Sequence, residues 1–312
     1  MSPLFFLLYS YFFWKTLDLE VELDGERLVK NLKFLTSAPH PLGSAKQEKI
    51  AQWLTGNIAN SWDVETQVFF ADTPNPQVFE TLAPVPISYE KKGYNIIASQ
   101  IGREDCWIFV GSHYDTKIVP NTSYVGANDG ASTTALLLEL SHVLQADRCG
   151  LVLLWFDGEE PVLKGWSDGE HKHPLAQPDH TYGSRSFITN KTKKCGRHRC
   201  FQNKPIESFI LLDMLGSSQL KLTQDLHSSP KLVNKMIKHA RDLQIDVGFE
   251  APVEDDHIPF LQAGIPSVNM IDFHNIRYWH REGDTLDTLS MISLKKSFRL
   301  AFRMVADEQG QL

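Results

Sequence analysis

The sequence has no apolar run long enough to cross a bilayer. Its most apolar stretch, Leu4 to Trp14, falls well short of the ~20 residues a spanning helix needs. It has no long basic run either, and with a formal net charge of −7 nucleic acid is set aside as a main partner. Four cysteines in 312 residues are too few and too scattered for a disulfide scaffold. Internal repeats and low-complexity tracts are missing, which excludes solenoids and disordered arrays. What is there is ordinary for a globular chain, 42% hydrophobic and 22% charged, and long enough to bury a sizeable core. One catalytic domain over 24–312 is expected, as a monomer, after an apolar segment over 1–23. Because that segment has the length of a signal-peptide core but no basic residues before it and no small-residue cleavage site after it, three readings stand: a truncated export signal, an interfacial anchor, or an arm packed on the body. Export is favoured, to an extracellular, periplasmic or secretory compartment. Membrane contact is expected only through this segment.

The stretch around which the chain is organised is Leu151 to Glu160. An apolar run bounded by Gly150 and Gly158 reads as a strand buried on both faces, as in a parallel sheet covered by helices. It ends in two adjacent carboxylates, Glu159 and Glu160. Ligands in such folds sit at the carboxyl ends of strands. Neighbouring buried carboxylates repel unless a cation or a shared proton offsets the charge, so a metal with a general base beside it accounts for the pair economically. A solvated loop after a strand is the plainer alternative. Two further apolar runs behave alike: Cys106 to Gly111 delivers His113 and Asp115, and Phe209 to Leu212 delivers Asp213.

Around these strands the pattern predicts helices over Gly25–Leu35, Ala45–Ala59, Gly130–Ala146, Pro230–Leu243 and Ser293–Ala306, an edge strand over Val64–Ala71, and strands near Tyr94–Ile101 and Pro266–Ile271. Asp129 then stands at a helix entrance. Segments 72–92, 161–181 and 191–205 read as surface excursions. Cys106 and Cys149, at the starts of apolar runs, read as buried thiols. Cys195 and Cys200 read as a small disulfide loop or two free thiols, since no second pair stands at zinc-finger spacing. The expected fold class is α/β, with a mixed, mainly parallel central sheet flanked by helices on both faces.

The blocks Gly111–Thr116, Gly126–Ser132, Phe156–Glu160, Tyr182–Arg185, Leu211–Asp213, Val253–Phe260 and Tyr278–His280 occur in the order seen in glutaminyl cyclases, relatives of the M28-type zinc aminopeptidases. The resemblance runs from about Gly25 to the last helix. Its most specific parts are Glu254-Asp-Asp-His257 and Trp279-His280. It implies one zinc per chain held by Asp129, Glu160 and His280, with Glu159 as general base and acid. Asp213 and Asp255 would form a pair of acids sharing a proton. Trp279 and Trp166 would flank the substrate, a peptide or protein with N-terminal glutamine, and His113 and Asp115 would lie behind the metal. The chain departs from the animal pattern at Asp129-Gly-Ala-Ser132, at Asn269 where a histidine is usual, and in the longer segment Pro161 to Trp166. Two rivals remain: a two-zinc aminopeptidase, in which His113 and Asp213 bind a second ion bridged by Asp129, and a silent recognition domain, which the intact ligand set disfavours.

Overall fold

The computed structural model describes residues 21–190 and 204–312. The apolar block Leu4–Trp14 and the cysteines Cys195 and Cys200 lie outside them. Helix α1 (Gly25–Leu35) starts where the Asp24 carboxylate accepts the backbone N–H groups of Glu26 and Arg27 at 3.1 and 3.0 Å. Ser44 caps α2 (Ala45–Asn57) in the same way, through the N–H of Gln47. Strand β1 (Asp63–Pro74) pairs antiparallel with β2 (Ser88–Gln100) along its whole length. The two ends of the expected excursion, 72–74 and 88–92, are therefore strands of this hairpin, and 75–87 is the connection between them.

Six strands form the sheet in the order β1-β2-β4-β3-β5-β8, with β3 (Trp107–His113), β4 (Gly150–Phe156), β5 (Ile206–Asp213) and β8 (Ser267–Ile271) mutually parallel and β2 antiparallel to both of its neighbours, β1 and β4. Residues in β3, β4, β5 and β8 are buried almost without exception, which is why their sequences are continuously apolar rather than alternating. One face packs α1, α2, α3 (Ser132–Ser141), α6 (Pro230–Asp242) and α8 (Met291–Glu308). The other packs α5 (Tyr182–Asn190) and α7 (His257–Gln262), across aromatic contacts that include Phe209 stacked on Phe260 with centroids 3.9 Å apart. Each such pair adds about 0.5–1.5 kcal/mol beyond area burial. A separate parallel pair, β6 (Lys221–Asp225) with β7 (Asp246–Ala251), and a single helical turn α4 (Asp168–His171) within the 161–181 loop complete the set.

Two expectations are corrected. The helix expected from Gly130 begins regularly only at Ser132, because Asp129 and Gly130 adopt non-helical backbone in a kinked turn over Ala127–Ala131, and it ends at Ser141. Cys106 and Cys149 are not free thiols but a disulfide. They precede paired positions of two parallel strands, Trp107 opposite Gly150, which brings their Cα atoms to 4.8 Å.

Candidate metal centre and catalytic cavity

The carboxyl ends of β3, β4 and β5 meet at one edge and present His113, Glu159 with Glu160, and Asp213. Left-handed backbone at Gly158, φ +69°, turns the chain sharply out of β4; a Cβ there would meet Leu42 at 2.9 Å. The turn after it is held from both sides. Asp115 accepts the N–H groups of Glu159 and Glu160 at 3.0 and 3.3 Å, and the buried Lys117 ammonium donates to the carbonyls of Pro161 and Leu163.

Asp129 arrives from the kinked turn. Its carboxylate accepts the Tyr124 hydroxyl at 2.6 Å, and its N–H, with that of Asn128, is taken by the buried carboxylate of Asp284 at 3.1 and 2.8 Å. Burial first, and after it the negative charge of Asp129, push Asp284 up to about 7. Gly130 has φ +89°, and a Cβ on it would reach the His113 ring at 2.7 Å, so a serine here would force that ring aside. His280 is brought in from the segment before α8 on a left-handed backbone, φ 53°, a strain of the kind tolerated where a side chain must be aimed.

These side chains form two overlapping sets whose ligand atoms all lie within 4.8 Å of one another: Asp129, Glu160 and His280, and His113, Asp129 and Asp213. His280 Nε2 stands 3.0 Å from Glu160 and 3.5 Å from Asp129; His113 Nε2 stands 3.2 Å from Asp129 and 3.3 Å from Asp213. Neither oxygen of Glu160, nor Asp213 Oδ1, has a hydrogen bond of acceptable geometry although all are buried. Groups this close and yet misaligned with one another are placed to face a common cation, and a set of oxygens with one imidazole suits zinc. The residues present therefore fit the ion. His113 Nδ1 lies 3.6 Å from Asp115, the orienting carboxylate behind the ring.

Glu159 lines a cavity of about 390 Å³ together with Asp129, Asp213, Asp255, Trp166 and Trp279. Burial is the main cause holding Glu159 well above the usual carboxylate range; His113 opposes it, and Asp255 and Glu160 reinforce it. Asp255 is pushed up to about 7 by burial and then by Asp213, itself raised by burial. Asn269 donates its amide to Asp255 at 2.8 Å. Trp279 stacks on His280 with centroids 4.1 Å apart. Trp166 stacks on His180 at 4.0 Å and donates its indole N–H to Glu254 at 2.9 Å. All ten residues singled out from the sequence thus gather at one edge of the sheet. Tyr124, Lys117 and Asp284 were not singled out, and no motif spacing marks them.

Residues 95–305 match the model of peptidase family M28. The glutaminyl-peptide cyclotransferase-like protein of Mus musculus is 29% identical over 93% of this chain and 77% of its own length. The glutaminyl-peptide cyclotransferase of Drosophila melanogaster is 25% identical over 81% and 75%. Among solved structures, the glutaminyl cyclase of an Acidobacteriales bacterium superposes with a TM-score of 0.76 at 25% identity, covering 94% of this chain and 97% of that one.

Proposed function

The chain belongs to peptidase family M28, and within it we propose that it is a glutaminyl cyclase, an acyltransferase that converts the N-terminal glutamine of peptides and proteins to pyroglutamate and releases ammonia. The observation that carries this reading is the likeness, along nearly the whole chain, to glutaminyl-peptide cyclotransferases. The cavity is consistent with it: the carboxyls of Glu159, Asp213 and Asp255, all raised by burial, and two indoles line one small pocket.

One zinc per chain, held by Asp129, Glu160 and His280, supplies Lewis acidity toward the glutamine γ-carbonyl when bound. Glu159, kept basic by its buried and acidic surroundings, takes a proton from the substrate's α-amine as the nitrogen attacks the γ-carbon, and returns it to the departing ammonia. Asp213 and Asp255 accept hydrogen bonds from the amine and keep it turned toward the γ-carbon. Trp279 and Trp166 flank the glutamine side chain and exclude water. Nucleophile and electrophile belong to one residue, so folding that side chain back is most of the task and no enzyme nucleophile is needed. Residues 24–312 form the catalytic domain. Export is supported by the Cys106–Cys149 disulfide, which persists in oxidising compartments; no helix among the described residues is long and apolar enough to cross a membrane.

The convergence of His113, Asp129 and Asp213 favours the second reading, a two-zinc aminopeptidase. Zinc content per chain, with ammonia release from a glutamine-led peptide and leucine release from a leucine-led one, separates them. One zinc with ammonia release is expected, and Glu159→Gln abolishes that release while zinc stays bound. Two zincs with leucine release overturn the cyclase reading.

A further inference from the structure

The catalytic cavity does not end at its mouth. Its wall is made by Met214 and Trp279, and the same two side chains line a second cavity of about 390 Å³ on their far side. That cavity shares Ser218, Gln219 and Asn275 with a third, of about 490 Å³, which reaches Lys221 and Lys296. Three depressions with shared walls make one groove, leading away from Glu159 across the Met214–Trp279 ridge.

The groove has a fixed floor. Met214 follows β5 in left-handed backbone, φ 52°; Ser217 bridges to Leu289; and Ser290 donates to the Gly216 carbonyl at 2.9 Å. Its rim, by contrast, carries polar groups with nothing to do. The side chains of Ser218 and Gln219 and the Tyr278 hydroxyl make no hydrogen bond among the described residues, and Arg277 has no carboxylate partner there, only the Tyr278 ring beneath it at 5.1 Å. Hydroxyls and carboxamides both donate and accept, as the two halves of a peptide unit require. The lining charges are mixed: Arg277, Lys221 and Lys296 against Asp287 and Asp246. A lining of this kind fits hydrated polypeptide main chain and does not fit a lipid or an apolar cofactor.

On the cyclase reading, the amine and side chain of the first residue point into the catalytic cavity, so its carbonyl and everything after it must leave through the mouth. We infer that the groove over Trp279 is an extended subsite that holds the downstream residues of the substrate, making this a catalyst that prefers long peptides and protein N-termini to short ones. The inference rests on the function proposed above.

The test is the ratio of kcat/KM for a glutamine-led octapeptide, which spans about 26 Å when extended, to that for a glutamine-led dipeptide amide, on the zinc-loaded protein. A ratio of about ten, or about 1.4 kcal/mol, is expected from a few main-chain hydrogen bonds. Ser218→Trp, which places an indole at the junction of the second and third cavities on an exposed position, brings the ratio down to about one; Gln219→Ala lowers it partway. Damage to the catalytic cavity lowers both substrates and leaves the ratio intact. A parent ratio near one, or a ratio unmoved in a folded Ser218→Trp protein, overturns the inference. If neither substrate is turned over, the cyclase reading fails by itself, and calorimetry of octapeptide binding decides the groove: equal affinity for parent and Ser218→Trp overturns it.

Discussion

Asp284 belongs neither to the implied metal's ligand set nor to the lining of the catalytic cavity, yet replacing it should weaken zinc binding as much as replacing a poor ligand would. It is 3% exposed, and its two oxygens take the N–H groups of Asn128 and Asp129 at 2.8 and 3.1 Å, so the turn that aims the Asp129 carboxylate hangs on it. Above about pH 7, where Asp284 is ionised, bonds to this charged acceptor contribute about 1.5–3 kcal/mol each. Losing both, with some relaxation of the turn, costs about 3 kcal/mol, which is about a hundredfold in an equilibrium constant and lies at the upper end of what partners behind a metal ligand contribute. Asp284→Ala is therefore expected to weaken zinc about a hundredfold. Asp284→Asn keeps one acceptor oxygen and turns an N–H₂ toward the other backbone donor, so about a tenfold loss is expected. Competition with a chromophoric chelator at fixed pH gives both constants, and thermal unfolding of the metal-free proteins checks that they fold. A folded Asp284→Ala protein with parental zinc affinity would refute the claim that this carboxylate aims Asp129.

Arg27 holds the buried carboxylate of Glu139 through two hydrogen bonds, 2.8 and 2.7 Å long. Glu139 is already raised by burial, with Arg27 opposing, so Arg27→Met should raise it further and cost about 2 kcal/mol near neutral pH, discounted from the figure for a fully buried pair because Arg27 is part-exposed. An acid whose folded pKa exceeds its unfolded value destabilises the fold fully above the folded pKa and progressively less as pH falls from there to the unfolded value; unfolding midpoints of parent and variant should therefore converge as pH falls toward the unfolded glutamate value of about 4.3, and a constant gap would refute this. Phe260→Ala removes a fully buried ring stacked on Phe209, for an expected loss of about 3–5 kcal/mol in urea unfolding. Since Phe260 sits on the short helix that follows Asp255, turnover should fall while zinc affinity holds.

The parallel core was legible because strands buried on both faces leave continuous apolar runs, and the residues that follow them, Glu159, Glu160 and Asp213, could be placed at one edge by that logic alone. Helices α1 and α2 were legible because Leu28, Leu32 and Leu35 recur at helical spacing and a Pro/Gly turn over Ser37–Ser44 separates the two; their caps at Asp24 and Ser44 were seen only in the structure. What escaped was set by distance in the chain or by short reach. Asp284 meets Asn128 across 156 residues, and nothing in either local sequence announces the other. Strands β6 and β7 are brief and part-exposed, with no clean alternation. Helix α7 has six residues, one of them Pro259, too few to show a period. The disulfide depended on strand register, which neither cysteine's surroundings encode.

That disulfide has a consequence for how the molecule is divided. Cys106 and Cys149 clasp β3 and β4 at their entry ends, while the exit ends of the same strands carry His113 and the Glu159–Glu160 pair. Fastening and chemistry occupy opposite ends of a ladder of seven residue pairs of buried sheet. A covalent link across 43 positions of sequence restrains the unfolded chain by about 4 kcal/mol in the loop-closure account. The durability this gives is drawn from a place where no atom has to move for the reaction to run, so the clasp can tighten the protein without stiffening its working end.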